Sequence, residues 1–241
     1  MPESGHWLEG RLALVTGASR GIGAATAEAL AAAGARVVLA ARDRDTLEAV
    51  AQRIEEAGGR ARAVPSDVAW REDVEELFAA VERVGPLAAL VCAAAVLTPA
   101  PFEKTTVEIW EQTLAVNLTG TFLCCRAAFG AMRAAGGGRI VNIASLSGVY
   151  ATDKFPGLSA YNVSKYGVIG LTEAIAVEGK ALGISAICLS PGAVDTQMLR
   201  QANPELRPGL TARDVGQLIA TLLDSPMVAA SGANIPLFSN A

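Results

Sequence analysis

The 241-residue sequence has little histidine and no block of like charge. His6 is its only histidine and lies near the start of the chain. A histidine-based catalytic triad and a metal site with several histidine ligands are therefore nearly excluded. Charges of both signs are scattered along the chain, which carries a net charge of -4. Without a basic block, neither nucleic acid nor a membrane surface is an expected partner.

The chain also lacks a long apolar run and any cysteine pattern typical of metal sites. No uninterrupted apolar stretch reaches the ~18 residues of a membrane span, and residues 1–10 lack the layout of a signal peptide. Buried thiols in a reducing cytoplasm are favoured over disulfides. We therefore expect a cytoplasmic protein with no metal site and a polar tail at residues 1–10. The four cysteines lie in apolar segments: Cys92, Cys124, Cys125 and Cys188.

What the sequence does contain is a regular alternation of short apolar runs and helical stretches. The runs are apolar almost throughout, which indicates strands covered on both faces. Alternation of such strands with helices predicts a parallel sheet between two helical layers. We predict an α/β fold: a single doubly wound, Rossmann-type domain over residues 11–241, with about seven parallel strands. Pro236 predicts that the last strand is an edge strand, because proline cannot donate to the ladder.

A glycine-rich loop, Thr16 to Gly23, follows the first predicted strand and opens a helix. Its glycines, Gly17, Gly21 and Gly23, allow tight turning and close backbone approach. The helix N-terminus can then meet a pyrophosphate. A plain strand–helix turn is the alternative, but the strand–loop–helix context favours phosphate binding.

Tyr161 and Lys165 lie four residues apart in a stretch that reads as a helix to Leu182. Their side chains then project from one face. A cation beside a phenol lowers its pKa from about 10, which would make the pair a proton donor and acceptor near neutral pH. Taken alone, a pair at this spacing is in most cases only a surface contact.

Together these motifs resemble the short-chain dehydrogenase/reductase family, from Gly10 to about Leu237. The resemblance implies an NAD(P)-dependent oxidoreductase that transfers hydride between NADP(H) and a carbonyl or secondary-alcohol substrate. Reductases of 3-oxoacyl thioesters are the most similar class. The family also implies a homodimer or homotetramer. The matching segments occur in the family's order: Thr16 to Gly23, Ser66-Asp67-Val68, Val116-Asn117, Ser145, Tyr161 with Lys165, and Pro191-Gly192 with Thr196.

The resemblance implies four catalytic residues: Asn117, Ser145, Tyr161 and Lys165. Tyr161 exchanges a proton with the substrate oxygen, and Ser145 hydrogen-bonds that oxygen. Lys165 lowers the phenol pKa and binds the nicotinamide ribose. Asn117 bends its helix and holds a water that links Lys165 to solvent. Without the family, Ser145 is a polar loop residue, and Asn117 bonds a neighbouring carbonyl.

The cofactor prediction depends on the end of the second strand, Ala41. NAD users usually place an acid there, whereas Arg20 and Arg42 suit a 2′-phosphate. NADP(H) is therefore favoured. NAD(H) is the alternative, with Asp43 on the ribose. Asp67 is expected at the adenine or, alternatively, as a helix N-cap. The cofactor-binding residues implied by the resemblance are Gly17, Ser19, Arg20, Gly21, Ile22, Gly23, Arg42, Asp67, Val68, Ala93, Ala94, Tyr161, Lys165, Pro191, Gly192, Val194 and Thr196.

Two segments depart from the family pattern. Cys92 to Ala95 stands where the family has Asn-Asn-Ala-Gly, and the interval from Ser145 to Tyr161 is longer by about three residues. The extra length falls in the loop between Val149 and Leu158. Its charged residues, Asp153 and Lys154, either contact substrate or are solvated, and we favour solvation. Two alternatives stay open: an NAD-dependent secondary-alcohol dehydrogenase, and a non-catalytic nucleotide-binding regulator.

Overall fold

The structure of the chain is a computed structural model, and it describes residues 6–238. Strands and helices alternate along these residues, as the sequence predicts. The strands are β1 (Leu12–Thr16), β2 (Arg36–Ala41), β3 (Arg60–Pro65), β4 (Leu87–Cys92), β5 (Gly138–Ile143), β6 (Ile184–Pro191), β7 (Val194–Asp195), β8 (Leu210–Thr211) and β9 (Asn234–Leu237). The helices are α1 (Gly21–Ala32), α2 (Arg44–Glu56), α3 (Arg71–Val84), α4 (Val107–Leu114), α5 (Gly120–Ala134), α6 (Ser159–Gly179), α7 (Gln197–Ala202) and α8 (Ala212–Asp224).

Seven strands form one parallel sheet in the order β3–β2–β1–β4–β5–β6–β9, and β7 pairs with β8 beside it. The predicted doubly wound, Rossmann-type fold is confirmed. The strand order reverses between β1 and β4, and a crevice forms there at the carboxyl ends of the strands. Pro236 lies in the edge strand β9 as predicted, where its missing N–H removes no ladder bond.

Both faces of the sheet are buried, because successive side chains of each strand point to opposite sides. Ala13 and Val15 of β1 pack with α1, α2 and α8. Leu12 and Leu14 pack on the other side with α3, α5 and α6. This double burial is the reason that the strands read as continuous apolar runs rather than alternating ones.

The helical region near residues 106–135 has an irregular centre. A π-helical segment, Ala115–Thr119, joins α4 to α5. By length and composition alone, the run Val107–Ala134 is apolar enough to cross a membrane. Cys124 and Met132 of this run are buried in the core beside the sheet, and an apolar helix packed in a core passes the same test.

Residues 6–10 pack against the domain, unlike the polar tail that the sequence predicts; residues 1–5 of that tail lie outside the described residues. Leu8 is fully buried in the core, and its backbone N–H donates to Asp224 Oδ1 at 2.9 Å. The Arg139 guanidinium lies 3.8 Å from the centroid of the Trp7 ring. An apolar pair as short as Trp7-Leu8 shows no periodicity, so sequence patterning does not detect it.

We expect Leu8→Ala to lower the free energy of unfolding by about 2–5 kcal/mol, because it leaves a cavity in a packed core. Urea unfolding measures the change. Val177→Ala is the matched control: Val177 is 78% exposed, so its truncation should cost less than about 0.5 kcal/mol. Equal effects of the two substitutions would show that residues 6–10 do not pack as described.

Candidate active site

A large cleft of about 1560 Å³ opens at the carboxyl ends of the strands. Every predicted cofactor-binding residue lines it, and so do Ser145, Tyr161 and Lys165. Asn117 is the exception among the predicted site residues, because it is fully buried behind the cleft wall. The fold thus brings together residues from widely separated segments, while their individual roles remain predictions.

The glycine loop forms a close backbone cradle at the start of α1. Gly17 and Gly21 have positive φ angles of 67° and 55°. A Cβ atom on Gly17 would lie 2.6 Å from the Ala94 nitrogen, and one on Gly23 would lie 2.2 Å from the Gly17 oxygen. No side chain caps α1, and its first turn contains no acid. Its first N–H groups are therefore available to an anion, so the cradle suits the pyrophosphate of a dinucleotide.

At the adenosine end, β2 ends at Ala41 as predicted. Asp43 is the N-cap of α2: its Oδ1 accepts from Thr46 N at 3.0 Å. The hydrogen bonds from Thr46 lower the pKa of Asp43. Asp43 lines the cleft, but its carboxylate is held by the helix. Arg42 is exposed at the cleft edge and presents a guanidinium with no acid at position 41.

Two further polar contacts border the same end of the cleft. The Asp67 Oδ1 accepts from Ala69 N at 3.0 Å, so Asp67 closes a local turn and is not the cap of α3. Its Oδ2 lies 3.9 Å from Arg42 Nη1. Arg20 Nη1 donates to Gln197 Oε1 at 3.0 Å and so connects the glycine loop to α7. The sequence analysis missed Gln197, since nothing in its local pattern marks it.

The altered segment after β4 belongs to a buried polar chain. Cys92 Sγ lies 3.9 Å from Cys125 Sγ, and the Cys125 thiol donates to Asn142 Oδ1 at 3.3 Å. Asn142 Nδ2 donates in turn to Thr172 Oγ1 at 3.0 Å. Hydrogen bonding with Cys125, followed by burial, raises the pKa of Cys92 well above 9.0. As predicted, the four cysteines are free and buried, and Cys92 joins β4 to α5 through an unreactive thiol.

Lys165 and Tyr161 face each other in the cleft. Lys165 is 2% exposed; its Nζ donates to the Ile143 carbonyl at 2.8 Å and lies 5.6 Å from the centroid of the Tyr161 ring. Burial lowers the pKa of Lys165 to about 8. Burial raises the pKa of Tyr161 to about 12, while the Ser145 side chain acts in the opposite direction.

The pKa of Tyr161 therefore moves opposite to the predicted direction. The charge of Lys165 favours the phenolate, but the loss of hydration that burial imposes on a phenolate outweighs it. The Lys165 ammonium also bonds the Ile143 carbonyl rather than the phenol oxygen. Tyr161 consequently keeps its proton at neutral pH, and Lys165 is charged below about pH 8.

The loop after β5 positions Ser145 beside this pair. The Ser145 Oγ accepts a hydrogen bond from Ser147 N at 3.2 Å. Ser145 is thereby the N-cap of a 3₁₀ turn, Leu146–Gly148. A Cβ atom on Gly148 would lie 2.5 Å from the Lys165 carbonyl carbon. Glycine at 148 therefore allows the loop to lie directly on α6. The sequence analysis did not identify this close approach, although the Ser-Gly pair marks a turn.

Asn117 lies within the π-helical segment, and the predicted disturbance of its helix is present. Its Oδ1 accepts from Val96 N at 2.8 Å. Its Nδ2 donates to Val96 O at 3.0 Å and to Ser164 Oγ at 3.1 Å. The Ser164 hydroxyl donates to Tyr161 O at 2.7 Å. Asn117 thus ties the segment after β4 to the Tyr161 helix, and its water-holding role stays a prediction.

The predicted nicotinamide end follows β6. Gly192 N donates to Leu237 O at 2.9 Å, which fixes the turn after Pro191 against β9. Thr196 is the N-cap of α7, and its Oγ1 accepts from Leu199 N at 3.2 Å. The cofactor contact that the resemblance implies for Thr196 stays a prediction, since the hydroxyl already caps the helix here.

Comparisons with known proteins agree with this geometry. The family model described as short chain dehydrogenase matches residues 11–207. D-threitol dehydrogenase of Mycolicibacterium smegmatis is 39% identical over 196 residues, covering 81% of this chain and 74% of that protein. The 3-oxoacyl-(acyl-carrier-protein) reductase of Synechocystis sp. is 37% identical over 200 residues, covering 82% and 80%. A Beutenbergia cavernae crystal structure, described as a candidate NAD(P)-dependent gluconate 5-dehydrogenase with bound NADP, matches with TM-score 0.90, 31% identity and 98% coverage of both chains.

We expect Lys165→Met to raise the free energy of unfolding at pH 7 by about 1–3 kcal/mol, because it removes a charge that burial disfavours. The pKa of Lys165 falls from 10.5 to about 8 on folding. Between these values the unfolded chain binds more protons, so wild-type stability rises with pH. The advantage of the variant should therefore shrink below about 1 kcal/mol at pH 10. Urea unfolding at both pH values measures it; an advantage that grows with pH would contradict the lowered pKa.

Proposed function

The chain belongs to the short-chain dehydrogenase family, and on that premise we propose that it transfers hydride between NADP(H) and a carbonyl or secondary-alcohol substrate. The observation that carries the proposal is the meeting of Ser145, Tyr161 and Lys165 in the cleft that also contains the glycine cradle. The chain is an oxidoreductase, so the regulator alternative is set aside. We propose that one domain, residues 11–241, forms both the cofactor end and the substrate end of the cleft.

Three side chains carry the proposed chemistry. A bound nicotinamide cofactor supplies the hydride in reduction and accepts it in oxidation. Tyr161 holds its proton at neutral pH and donates it to the substrate oxygen. The Ser145 hydroxyl hydrogen-bonds the same oxygen and stabilises the charge that develops there. Lys165 is charged below about pH 8. It stabilises the phenolate form of Tyr161 that remains once the proton has been donated.

The preference for NADP(H) is supported by the charges at the adenosine end. Arg42 is exposed beside Ala41, while the only acid within two residues of this strand end, Asp43, is held as the cap of α2. A guanidinium there attracts a 2′-phosphate. The NAD(H) alternative requires Asp43 to leave Thr46 and bind a ribose.

The substrate end of the cleft supports 3-oxoacyl thioesters as the first class to test. The Synechocystis relative is a reductase of such thioesters by name. Most side chains at this end are apolar, and an acyl chain can bury against them. They include Leu97, Val149, Phe155, Leu158, Met198, Leu199 and Leu206.

We also propose a cytoplasmic homodimer or homotetramer. Free, buried cysteines agree with a reducing compartment. Large apolar side chains are exposed on neighbouring helices: Trp110 is 36% exposed, Phe122 is 42% exposed and Val163 is 46% exposed. A Cβ atom on Gly170 of α6 would meet nothing within 4 Å, so a helix of a second subunit has room to approach.

We expect the wild-type protein to reduce acetoacetyl-CoA or ethyl acetoacetate with a higher kcat/KM for NADPH than for NADH. Arg42→Ala should reduce kcat/KM for NADPH about tenfold or more, because it removes charge-assisted bonds to the 2′-phosphate, and should leave NADH nearly unchanged. Steady-state rates with both cofactors measure the effect. Arg44→Ala is the matched control, since Arg44 pairs with Glu48 on α2. A clear wild-type preference for NADH would overturn the cofactor assignment.

A further inference from the structure

The loop between Val149 and Leu158 is the segment that lengthens the interval from Ser145 to Tyr161. It forms much of the cleft wall at the substrate end, with Tyr150, Thr152 and Phe155 among its lining residues. The sequence predicts that its charged side chains are solvated. Lys154 is exposed, and its ammonium group also bonds residues of this loop and of the segment just before it.

Lys154 Nζ has three hydrogen-bond partners. It donates to Leu146 O at 3.2 Å, to Val149 O at 2.5 Å and to Thr152 Oγ1 at 2.7 Å. An ammonium group carries three donors, so all of them are used by one short segment, residues 146–152. Bonds from a charged donor are stronger than neutral ones.

Tyr166 connects the same group to α6. Lys154 Nζ lies 5.2 Å from the centroid of the Tyr166 ring, within cation–π range. The Tyr166 hydroxyl donates to Val149 O at 3.1 Å, which is the carbonyl that Lys154 also bonds. Segment 146–152 is thereby attached to the helix that carries Tyr161 and Lys165.

Segment 146–152 needs such support because part of it adopts an unfavourable conformation. Ala151 has a φ of 58°, and it is the only non-glycine with positive φ among residues 6–238. The left-handed region is disfavoured for alanine. Contacts on either side must therefore hold the turn, and the ammonium of Lys154 bonds Val149 and Thr152, which flank Ala151 in the sequence.

We propose that Lys154 is a positioning residue: its ammonium group holds segment 146–152 on α6 and so sets the substrate wall next to Ser145. Leu146 directly follows Ser145, and its carbonyl accepts from both Lys154 and Thr152. Loss of these bonds frees the wall without touching the glycine cradle. The effect on substrate rests on the proposed function, whereas the effect on the loop does not.

Amide hydrogen exchange tests segment 146–152 directly. Its reporters are the amides of Ser147 and Gly148, which donate to Ser145, and the amide of Val149, which donates to Leu146 O. Lys154→Met should accelerate their exchange by about tenfold, the factor expected when roughly one charge-assisted bond is lost. Lys154→Arg should restore slow exchange, because a guanidinium also donates to carbonyls. Lys180→Met is the matched control, since the Lys180 ammonium group has no hydrogen bond or ion pair among residues 6–238. Unchanged exchange in Lys154→Met overturns the proposal.

Steady-state kinetics with NADPH and ethyl acetoacetate test the effect on substrate. Lys154→Met should raise KM for the ketone about tenfold with little change in the Kd of NADPH, measured by fluorescence, and Lys154→Arg should return KM towards wild type. Faster exchange with an unchanged KM would make Lys154 purely structural and overturn the positioning role. If the wild-type protein reduces no ketone, the proposed function is wrong. The hydrogen-exchange result still tests whether Lys154 holds segment 146–152.

Discussion

The burial of the Lys165 ammonium beside Tyr161 is the constraint around which the site is built. A charge that is 2% exposed is costly unless the surrounding structure compensates for it. The carboxyl end of β5 supplies the Ile143 carbonyl, and Gly148 lets the next loop lie on the Lys165 backbone. Asn117 and Ser164 fix the same helix from its other side. In the doubly wound sheet, the carboxyl end of β5 thus lies next to the buried ammonium group of Lys165.

This constraint also decides the direction in which the pair titrates. Inside the cleft both groups favour their neutral forms, so the pKa of Tyr161 rises while the pKa of Lys165 falls, and the two values move apart. A phenol that holds its proton is suited to donate it to a developing alkoxide. In the proposed reaction, the nearby cation matters most after donation, when the phenolate needs a partner. We therefore propose that Lys165 acts on the product of proton transfer more than on the resting phenol.

Much of the fold and site follows from local sequence, because the informative signals are local. Continuous apolar runs mark strands buried on both faces, and β2 ends at Ala41 as the sequence predicts. Glycines at the start of α1 and the Tyr161–Lys165 spacing mark the cleft. The remainder depends on contacts between distant segments. Three such contacts cannot be recognised from the local sequence around them. They are the packing of Leu8 against α8, the bond between Asn117 and Val96, and the three hydrogen bonds of Lys154.

The central claim is that Tyr161 supplies the proton while the rest of the cleft binds cofactor independently. The most direct measurement is ketone reduction by Tyr161→Phe alongside NADPH binding by the same variant. The account predicts that turnover falls by about 10²–10⁴-fold or more, as expected when a general acid is removed, while the Kd of NADPH stays within a few fold of wild type. Near-normal turnover in this variant would contradict the account.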